Sequence, residues 1–529
     1  MYKCLKQIER MRFLKSILFI LLLSNTVIAQ SYNKFQKDFI QLTKIVHGSY
    51  PLSDSANIKL MKLEPQLLLE LKKCDNNDCF RITAQKYMAQ LNDGHSKIHC
   101  YQAFTRKGHH PIRFNFINEK LYISNYPNTI PDQYIGKQVV AINGVEIPEI
   151  ENRAKTYISA DNDISLRNHL RWLLNKPTFY EFIGIDTDSV LKLELSDGSQ
   201  LHWVRDIKEK GLYVRNNDIA YPIDTLKLVY YEKKENDLTG WSNNLFEYKI
   251  LKESNTCYFK FRECYDIQWL NDNPKAFKPF PKWIIKIFWY FRGGKFTKFI
   301  SKMFTDIEKT KVDNLVIDLR ENTGGTSILG YQLLDYLMDI ENLNDYSETI
   351  VLSELLKKSF PNYFNDIVKN EAIKIDSLPI FVNSNNNDGV KIYLRDKKSH
   401  YYQAKPKIRF KGDVYVMVGN ETFSSAAMIA VLLADNNLAK VVGNPMGIGA
   451  SHNGEVLDFI LTNTDTKGII SCKKFYRPSK NNNLTKELNI DIKVTNTELN
   501  TFKGIDEEFK KLLLMINNNK PAPSVVKKL

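Results

Sequence analysis

The stretch from Val414 to Ala434 reads Val-Tyr-Val-Met-Val-Gly-Asn-Glu-Thr-Phe-Ser-Ser-Ala-Ala-Met-Ile-Ala-Val-Leu-Leu-Ala. Its first five residues predict a buried strand, and residues 426–434 predict an apolar helix after a polar turn. Upstream, residues 315–319 predict another buried strand that ends in a Gly-rich turn. Strands and helices that alternate in this way indicate an α/β layer structure over residues 253–515, with its chemistry at the strand carboxyl ends.

Three short motifs carry residues suited to catalysis: Asp93-Gly-His-Ser96, Asp318-Leu-Arg-Glu-Asn-Thr-Gly-Gly325 and Thr422-Phe-Ser-Ser-Ala426. A serine at a helix N-terminus lies beside unpaired backbone N–H groups, which stabilise developing negative charge. Paired glycines let backbone approach a substrate carbonyl, and a serine hydroxyl needs a base such as histidine. Each motif alone also has a structural interpretation, as a helix cap, a tight turn or a loop.

The order and spacing of these motifs resemble the tail-specific (C-terminal-processing) and tricorn-core family of serine peptidases, which includes the interphotoreceptor retinoid-binding proteins. The resemblance also covers a PDZ-like segment at 136–144, Val441-Val-Gly-Asn-Pro-Met-Gly447 and the final Gly504-Ile-Asp helix. It implies a crotonase/ClpP-like α/β core with an N-terminal helical region and a PDZ-like β-rich domain. The implied activity is hydrolysis of peptide bonds in unfolded or C-terminal segments, without a cofactor or a metal ion.

Carried over by position, the family nucleophile is Ser424, with Ser425 as the alternative. The resemblance implies an oxyanion hole formed by the backbone of Gly324 or Gly325 and the N–H of Ser425. Bacterial tail-specific members use a lysine as base, but the corresponding turn here is Gly447-Ile448-Gly449.

The tricorn-like branch instead uses a histidine that precedes the PDZ-like segment, and His95 occupies that place. An imidazole suits a base that works near neutral pH. His452 is the alternative base, and Glu487 and Asp491 are the candidate acids that orient the histidine.

One departure from the family lies beside the nucleophile. The family commonly has Glu three residues after the serine, whereas this chain has Ala427. Two functions therefore remain open: an exported serine endopeptidase, or a non-catalytic protein on the same scaffold that binds a peptide or an apolar ligand.

The rest of the chain divides by pattern. Residues 30–102 predict helices, 103–205 a PDZ-like region, 206–252 a linker or hairpin, and 516–529 a tail. In the PDZ-like region, Gly136, Val139 and Ile142 are the candidate residues that hold a substrate peptide by strand addition.

Residues 1–29 predict a secretory signal, with a basic start, an apolar run and a small-residue site before Gln30. An uncleaved anchor is the alternative. Cleavage gives a periplasmic or extracellular chain with six cysteines, in which Cys74 with Cys79, or Cys257 with Cys264, are near enough in sequence to pair.

The net charge of +14 comes largely from two segments. The signal contributes four units, and residues 275–304 carry eight basic residues, no acidic one and ten aromatic residues. This segment fits either two amphipathic helices on an anionic membrane surface or an insertion packed on the core. Nucleic acid is not an expected partner, because the chain has no binding motif.

The overall composition, with 43% apolar and 25% charged residues, is that of a globular protein.

Overall fold

The structure is a computed structural model that describes residues 32–108, 110, 112–125, 134–187, 190–204, 244–272, 294–384, 388–479, 487–494 and 506–518. The predicted signal, residues 1–29, lies outside the described residues. In chain order the elements of the amino-terminal half are α1 (Lys34–Ser49), α2 (Asp54–Lys72), α3 (Asn77–Ala89), β1 (Lys97–Ile98), α4 (Tyr101–Phe104), β2 (Arg113–Ile117), β3 (Lys120–Asn125), β4 (Gln138–Ile142), β5 (Val145–Glu146), α5 (Ile147–Ala154), α6 (Asp163–Leu173), α7 (Pro177–Phe182), β6 (Val190–Leu195) and β7 (Gln200–Val204).

The elements of the carboxyl-terminal half are β8 (Phe246–Leu251), β9 (Thr256–Phe261), α8 (Ile267–Asp272), α9 (Phe296–Thr310), β10 (Asn314–Asp318), α10 (Ile328–Leu334), β11 (Ser347–Leu352), α11 (Glu354–Ser359), α12 (Pro361–Asn370), β12 (Ile380–Ser384), α13 (Asp388–Arg395), β13 (Asp413–Val418), α14 (Ser425–Asp435), β14 (Lys440–Gly443), β15 (His452–Ile460), β16 (Lys467–Tyr476), β17 (Ile492–Lys493) and α15 (Glu507–Asn518).

A six-stranded sheet in the order β17-β14-β13-β10-β9-β8 forms the centre of the carboxyl-terminal half. Its strands are parallel apart from β8, and β10 pairs with β13 so that Ile317 lies opposite Val416. Apolar side chains of α9, α10 and α14 cover one face, and those of α15 cover the other. Because buried parallel strands are covered by helices on both faces, this arrangement confirms the predicted α/β class.

A second sheet forms the β-rich region, in the order β2-β3-β4-β6-β7, with β5 paired to β4. Asn143 and Gly144 both have positive φ, as the predicted Asn-Gly turn between β4 and β5 requires. Strand β4 is therefore a central strand, paired with β3 on one side and β6 on the other.

The third sheet is antiparallel, runs β1-β16-β11-β12, and carries β15 on β16. Its apolar residues pack in one cluster with α1–α3 and the β-rich region, separate from the cluster of the parallel sheet. The predicted unit 253–515 is thus shared between two cores, because its antiparallel strands bury their apolar face on the N-terminal helices. Two predicted boundaries also differ, since β8 lies within 206–252 and α15 extends beyond 515.

The N-terminal helices begin at polar caps, as their sequence predicts. Asn33 and Gln36 form reciprocal side-chain to backbone hydrogen bonds at the start of α1. A disulfide joins Cys74 to Cys79 between α2 and α3, whereas Cys257 and Cys264 are free and buried. Of the two pairings that the sequence allows, the structure therefore contains the first.

Only part of the basic aromatic segment 275–304 is described, since residues 273–293 lie outside the described residues. The described part belongs to α9, whose residues Phe296, Ile300 and Met303 are fully buried in the core of the parallel sheet. These three side chains pack on protein and do not face a membrane, whereas membrane contact by the rest of the segment stays a prediction. In the part of the chain that the structure describes, no helix combines the length and apolarity needed to cross a bilayer.

Candidate active site

Ser424 lies between the end of β13 and the start of α14. Its φ of 51° and ψ of −127° are unfavourable for a residue with a side chain, and its hydroxyl makes no capping bond to the helix. The helix-cap interpretation of Ser424 therefore fails. The turn is held by the neighbouring strand end, since the Thr422 hydroxyl donates to the Leu319 carbonyl at 2.8 Å and accepts from the Gly419 N–H at 2.9 Å.

His95 approaches Ser424 from the turn that follows α3. Its Nε2 lies 3.0 Å from Ser424 Oγ, and its ring packs on the Phe423 ring with centroids 4.6 Å apart. Two segments 329 residues apart are thus brought into hydrogen-bond contact. This is the contact that a serine nucleophile and its general base require.

Asp93 is a fully buried carboxylate on the same turn as His95. Its Oδ1 accepts the His95 backbone N–H at 3.0 Å and lies 3.6 Å from His95 Nδ1. Its Oδ2 accepts hydroxyl bonds from Ser96 at 2.6 Å and Ser471 at 2.7 Å. Burial opposes ionisation, but the interaction with His95 and the hydroxyl bonds from Ser96 and Ser471 outweigh it and hold the pKa of Asp93 below its usual range.

The Gly-Gly turn after β10 lies directly against Ser424. A Cβ on Gly324, whose φ is +100°, would lie 2.7 Å from Ser424 Cβ. The Gly324 N–H donates to Asn322 Oδ1 at 2.8 Å and is already occupied. Of the two glycines, Gly325 is thus the better oxyanion donor, since neither its N–H nor that of Ser425 has a hydrogen-bond partner among the described residues.

Ser425, the alternative nucleophile, and His452, the alternative base, both form hydrogen bonds with other groups. The Ser425 hydroxyl is buried and donates to the Gly325 carbonyl at 2.7 Å. His452 bonds the Gly449 carbonyl through Nδ1 at 3.1 Å and lies beside the His95 ring, with centroids 6.2 Å apart. Burial, followed by the charge of His95, lowers the pKa of His452 to about 3, so His452 is a neutral packing partner at neutral pH.

Neither acid proposed from the carboxyl-terminal region orients His95. Asp491 Oδ2 accepts the Val441 N–H at 2.8 Å at the edge of the parallel sheet. Glu487 is exposed, and its backbone carbonyl accepts a bond from Arg477. The acid beside His95 is Asp93, two residues earlier in the chain, which the sequence motif contained without any sign of its role.

The two departures from the family are both buried apolar residues. Ile448, at the place of the family lysine, is 2% exposed, and Ala427 is fully buried in the same core. Ile448 and Ala427 fill space within the core of the parallel sheet, so neither position supplies a polar group to the nucleophile.

The candidate peptide-binding residues do not line an open edge. Val139 and Ile142 are 1% and 0% exposed, and both point into the core of the β-rich region. The Gly136 N–H donates to the Ile123 carbonyl at 2.9 Å. The sequence identified a strand correctly but could not indicate that it is central, and a central strand has no free backbone groups for a peptide.

Asp161 is a half-buried carboxylate near His95 that no sequence motif marks. Asp161, on the connection between α5 and α6, accepts the Gly94 N–H at 3.0 Å. Its sequence neighbours form no recognisable motif, so no local signal could have identified it.

The described residues contain no group of three or more His, Cys, Asp or Glu side chains arranged to hold a metal ion.

Comparisons with known proteins identify one family and a set of similar structures. Residues 285–494 match the model of peptidase family S41, and no curated protein sequence matches the chain. In structure the chain is similar to mature CPAF, with 14% identity, a TM-score of 0.57, and coverage of 92% of this chain and 98% of that chain. It is also similar to mature CPAF complexed with lactacystin, at 14% identity, a TM-score of 0.58 and coverage of 92% and 99%.

A photosystem II D1 C-terminal processing protease is more distant, at 13% identity, a TM-score of 0.38 and coverage of 88% and 94%. The likeness to CPAF establishes the fold, and the family match covers Ser424 and the Gly-Gly turn. The resemblance to tail-specific peptidases is thereby confirmed. Residues 285–494 thus match peptidase family S41, and this match together with the fold supports assignment of the chain as a serine peptidase.

Proposed function

We propose that the chain is an exported endopeptidase in which Ser424 is the nucleophile and His95 is the general base. The observation that carries the proposal is the 3.0 Å contact between His95 Nε2 and Ser424 Oγ. In the proposed site, Asp93 orients the imidazole and offsets the charge that His95 gains.

The proposed reaction begins when Ser424 Oγ attacks the carbonyl carbon of a peptide bond and its proton passes to His95 Nε2. The N–H groups of Gly325 and Ser425 stabilise the oxyanion. The C–N bond then breaks, and His95 returns the proton to the leaving amine. Water next attacks the acyl-enzyme, His95 takes one of its protons and returns it to Ser424, and the carboxylic acid leaves.

Unfolded or C-terminal segments are the proposed substrates, as in the tail-specific relatives. The β-rich region is the proposed peptide-binding unit. Strand addition there would use β2 or β7, the two end strands of the described sheet, rather than β4.

Export is proposed from the signal-like residues 1–29. The Cys74–Cys79 disulfide supports it, because disulfides persist in oxidising compartments.

The test is hydrolysis of an unfolded protein by residues 30–529 and by three variants. We expect Ser424→Ala and His95→Ala to lower kcat by roughly 10³-fold or more, because each removes part of the covalent mechanism. His452→Ala is the matched control. It keeps Ser424 and His95, so it should still hydrolyse the substrate. Cleavage that survives Ser424→Ala would refute the proposed nucleophile, and full activity of His95→Ala would refute the proposed base.

A binding protein on the same scaffold is the second candidate function, and Ala427 is the observation that favours it. Under that candidate the wild-type chain would bind unfolded peptides without cleaving them. Turnover by the wild-type chain would exclude it.

A further inference from the structure

A second, half-buried carboxylate lies against the turn that carries His95. Asp161 Oδ2 accepts the Gly94 N–H at 3.0 Å, and a Cβ on Gly94 would lie 2.9 Å from that oxygen. The same Cβ would lie 3.0 Å from the Phe423 ring, which itself packs on His95. The carboxylate, the turn and the imidazole therefore form one close-packed unit, and a side chain at residue 94 would displace the Asp161 carboxylate or the Phe423 ring.

The titratable groups that face Asp161 come from two elements. Asp93 and His95 lie on the turn after α3, and Tyr50 lies at the end of α1, where its hydroxyl accepts a bond from the Asn453 side chain at 2.7 Å. Burial, and then the charge of Asp93, raise the pKa of Asp161 to about 7, against the opposing effects of His95 and the Gly94 N–H. A carboxylate in this position changes its charge in the pH range where histidine bases operate.

We propose that Asp161 is a positioning residue for His95, which holds the backbone of the histidine turn and whose ionised form stabilises the imidazolium formed during attack. This inference rests on the proposed role of His95 as base. Asp161 supplies two separable contributions. The hydrogen bond to Gly94 needs only an oxygen acceptor, whereas stabilisation of the imidazolium needs the negative charge.

The two contributions predict a specific pH dependence. Below neutral pH, Asp161 is protonated but still accepts the Gly94 N–H, so the turn keeps its geometry. As the pH rises through about 7, Asp161 ionises and the imidazolium gains a second negative neighbour beside Asp93. The charge of Asp161 should therefore raise kcat at alkaline pH and have little effect at acidic pH.

The experiment compares the mature chain with Asp161→Asn, which keeps an oxygen acceptor and removes the charge. Hydrolysis of one peptide substrate is measured from pH 5.5 to 8.5, with the concentration of active sites titrated by a fluorophosphonate. We expect kcat of Asp161→Asn to fall about tenfold at pH 8.5, with KM unchanged, and the difference to shrink towards pH 5.5. Asp163→Asn is the control, because Asp163 is on the same segment but its side chain is 62% exposed.

A wild-type to Asp161→Asn ratio of kcat that stays the same at every pH would overturn the inference, since a merely structural role predicts a uniform loss. Equal kcat values for the two proteins would also overturn it. His95→Ala separates this failure from that of the proposed function. If His95→Ala is inactive and Asp161→Asn matches the wild type, only the role of Asp161 is wrong; if His95→Ala is fully active, the proposed base itself is wrong.

Discussion

Ser424 has a backbone conformation that few residues with a side chain adopt. Its φ of 51° turns the hydroxyl out of the β13–α14 junction towards His95. The opposite side of the turn is closed by Gly324, which has no side chain to hinder Ser424. Strain at one residue and the absence of a Cβ at another thus maintain the same contact.

The close approach of Gly324 gives the first prediction. Gly324→Ala should lower kcat by about 10²-fold or more, because its Cβ would lie 2.7 Å from Ser424 Cβ and its φ of +100° would be strained. Gly48→Ala is the control, since a Cβ there has no atom within 4 Å, and its activity should be unchanged. Steady-state hydrolysis rates check both variants. An active Gly324→Ala enzyme would contradict the tight packing.

The half-buried carboxylate of Asp161 gives a second prediction, for stability. Because burial raises the pKa of Asp161 to about 7, the folded chain retains a proton that the unfolded chain has released. This group's contribution to stability is full below about pH 4 and is lost as the pH rises through 7. Asp161→Asn should therefore be more stable than the wild type at pH 8, by on the order of 1–3 kcal/mol, and less so at pH 5.

Urea unfolding at the two pH values measures this difference. A stability difference that does not change between pH 5 and pH 8 would contradict the raised pKa of Asp161. The combination of higher stability and lower activity in one variant is what a strained functional site leads us to expect.

At the scale of elements, the turn after β10 both packs against Ser424 and forms ion pairs with the final helix. Its glycines face Ser424, while Arg320 binds Asp318 at 2.7 Å and reaches α15 through Asp506 at 2.6 Å and Glu508 at 2.8 Å. Asp318 is almost fully buried, so its negative charge needs the positive charge of Arg320 beside it. The ion-pair group joins the final helix to the edge of the site.

Loss of this link gives a third prediction. Arg320→Ala should lower the free energy of unfolding by about 3 kcal/mol, because it leaves buried carboxylates unpaired. Hydrogen exchange should then show faster opening of α15. Lys374→Ala removes an exposed pair, in which the two side chains are 87% and 78% exposed, and should cost less than about 0.5 kcal/mol. Equal costs for the two variants would contradict the assigned role of Arg320.

Elements also determine how far the sequence could predict the site. The strand–turn–helix around Ser424 and the Gly-Gly turn are local patterns, and both were predicted. The position of β4 within its sheet depends on which strands pair on either side, so Val139 and Ile142 were misplaced. The contact of Asp161 with Gly94 joins residues 67 positions apart and leaves no local pattern.

At the scale of the whole molecule, the proposed catalytic residues come from two different cores. Ser424 and the Gly-Gly turn extend from the parallel sheet, whereas the His95 turn is bound to the antiparallel sheet, where Ser471 on β16 bonds both Asp93 and Ser96. The alternation of strands and helices predicted the first core. It could not assign the later antiparallel strands to the N-terminal helices, because that pairing follows from tertiary packing.

Export is the fourth prediction and belongs to the whole chain. Intact-mass analysis of the protein from an exporting host should find Gln30 as the first residue. Cys74 and Cys79 should resist alkylation until they are reduced, whereas the remaining four cysteines should react as thiols after unfolding. A chain that keeps residues 1–29 would favour the uncleaved anchor, and free thiols at positions 74 and 79 would remove the support for an oxidising compartment.

The central claim is that Ser424, activated by His95, is the nucleophile. Its most direct test is to label residues 30–529 with a fluorophosphonate and to locate the adduct by peptide mass spectrometry. We expect one adduct on Ser424, which is absent in Ser424→Ala, retained in Ser425→Ala and formed much more slowly in His95→Ala. An adduct on Ser425, or labelling that persists in Ser424→Ala, would contradict it.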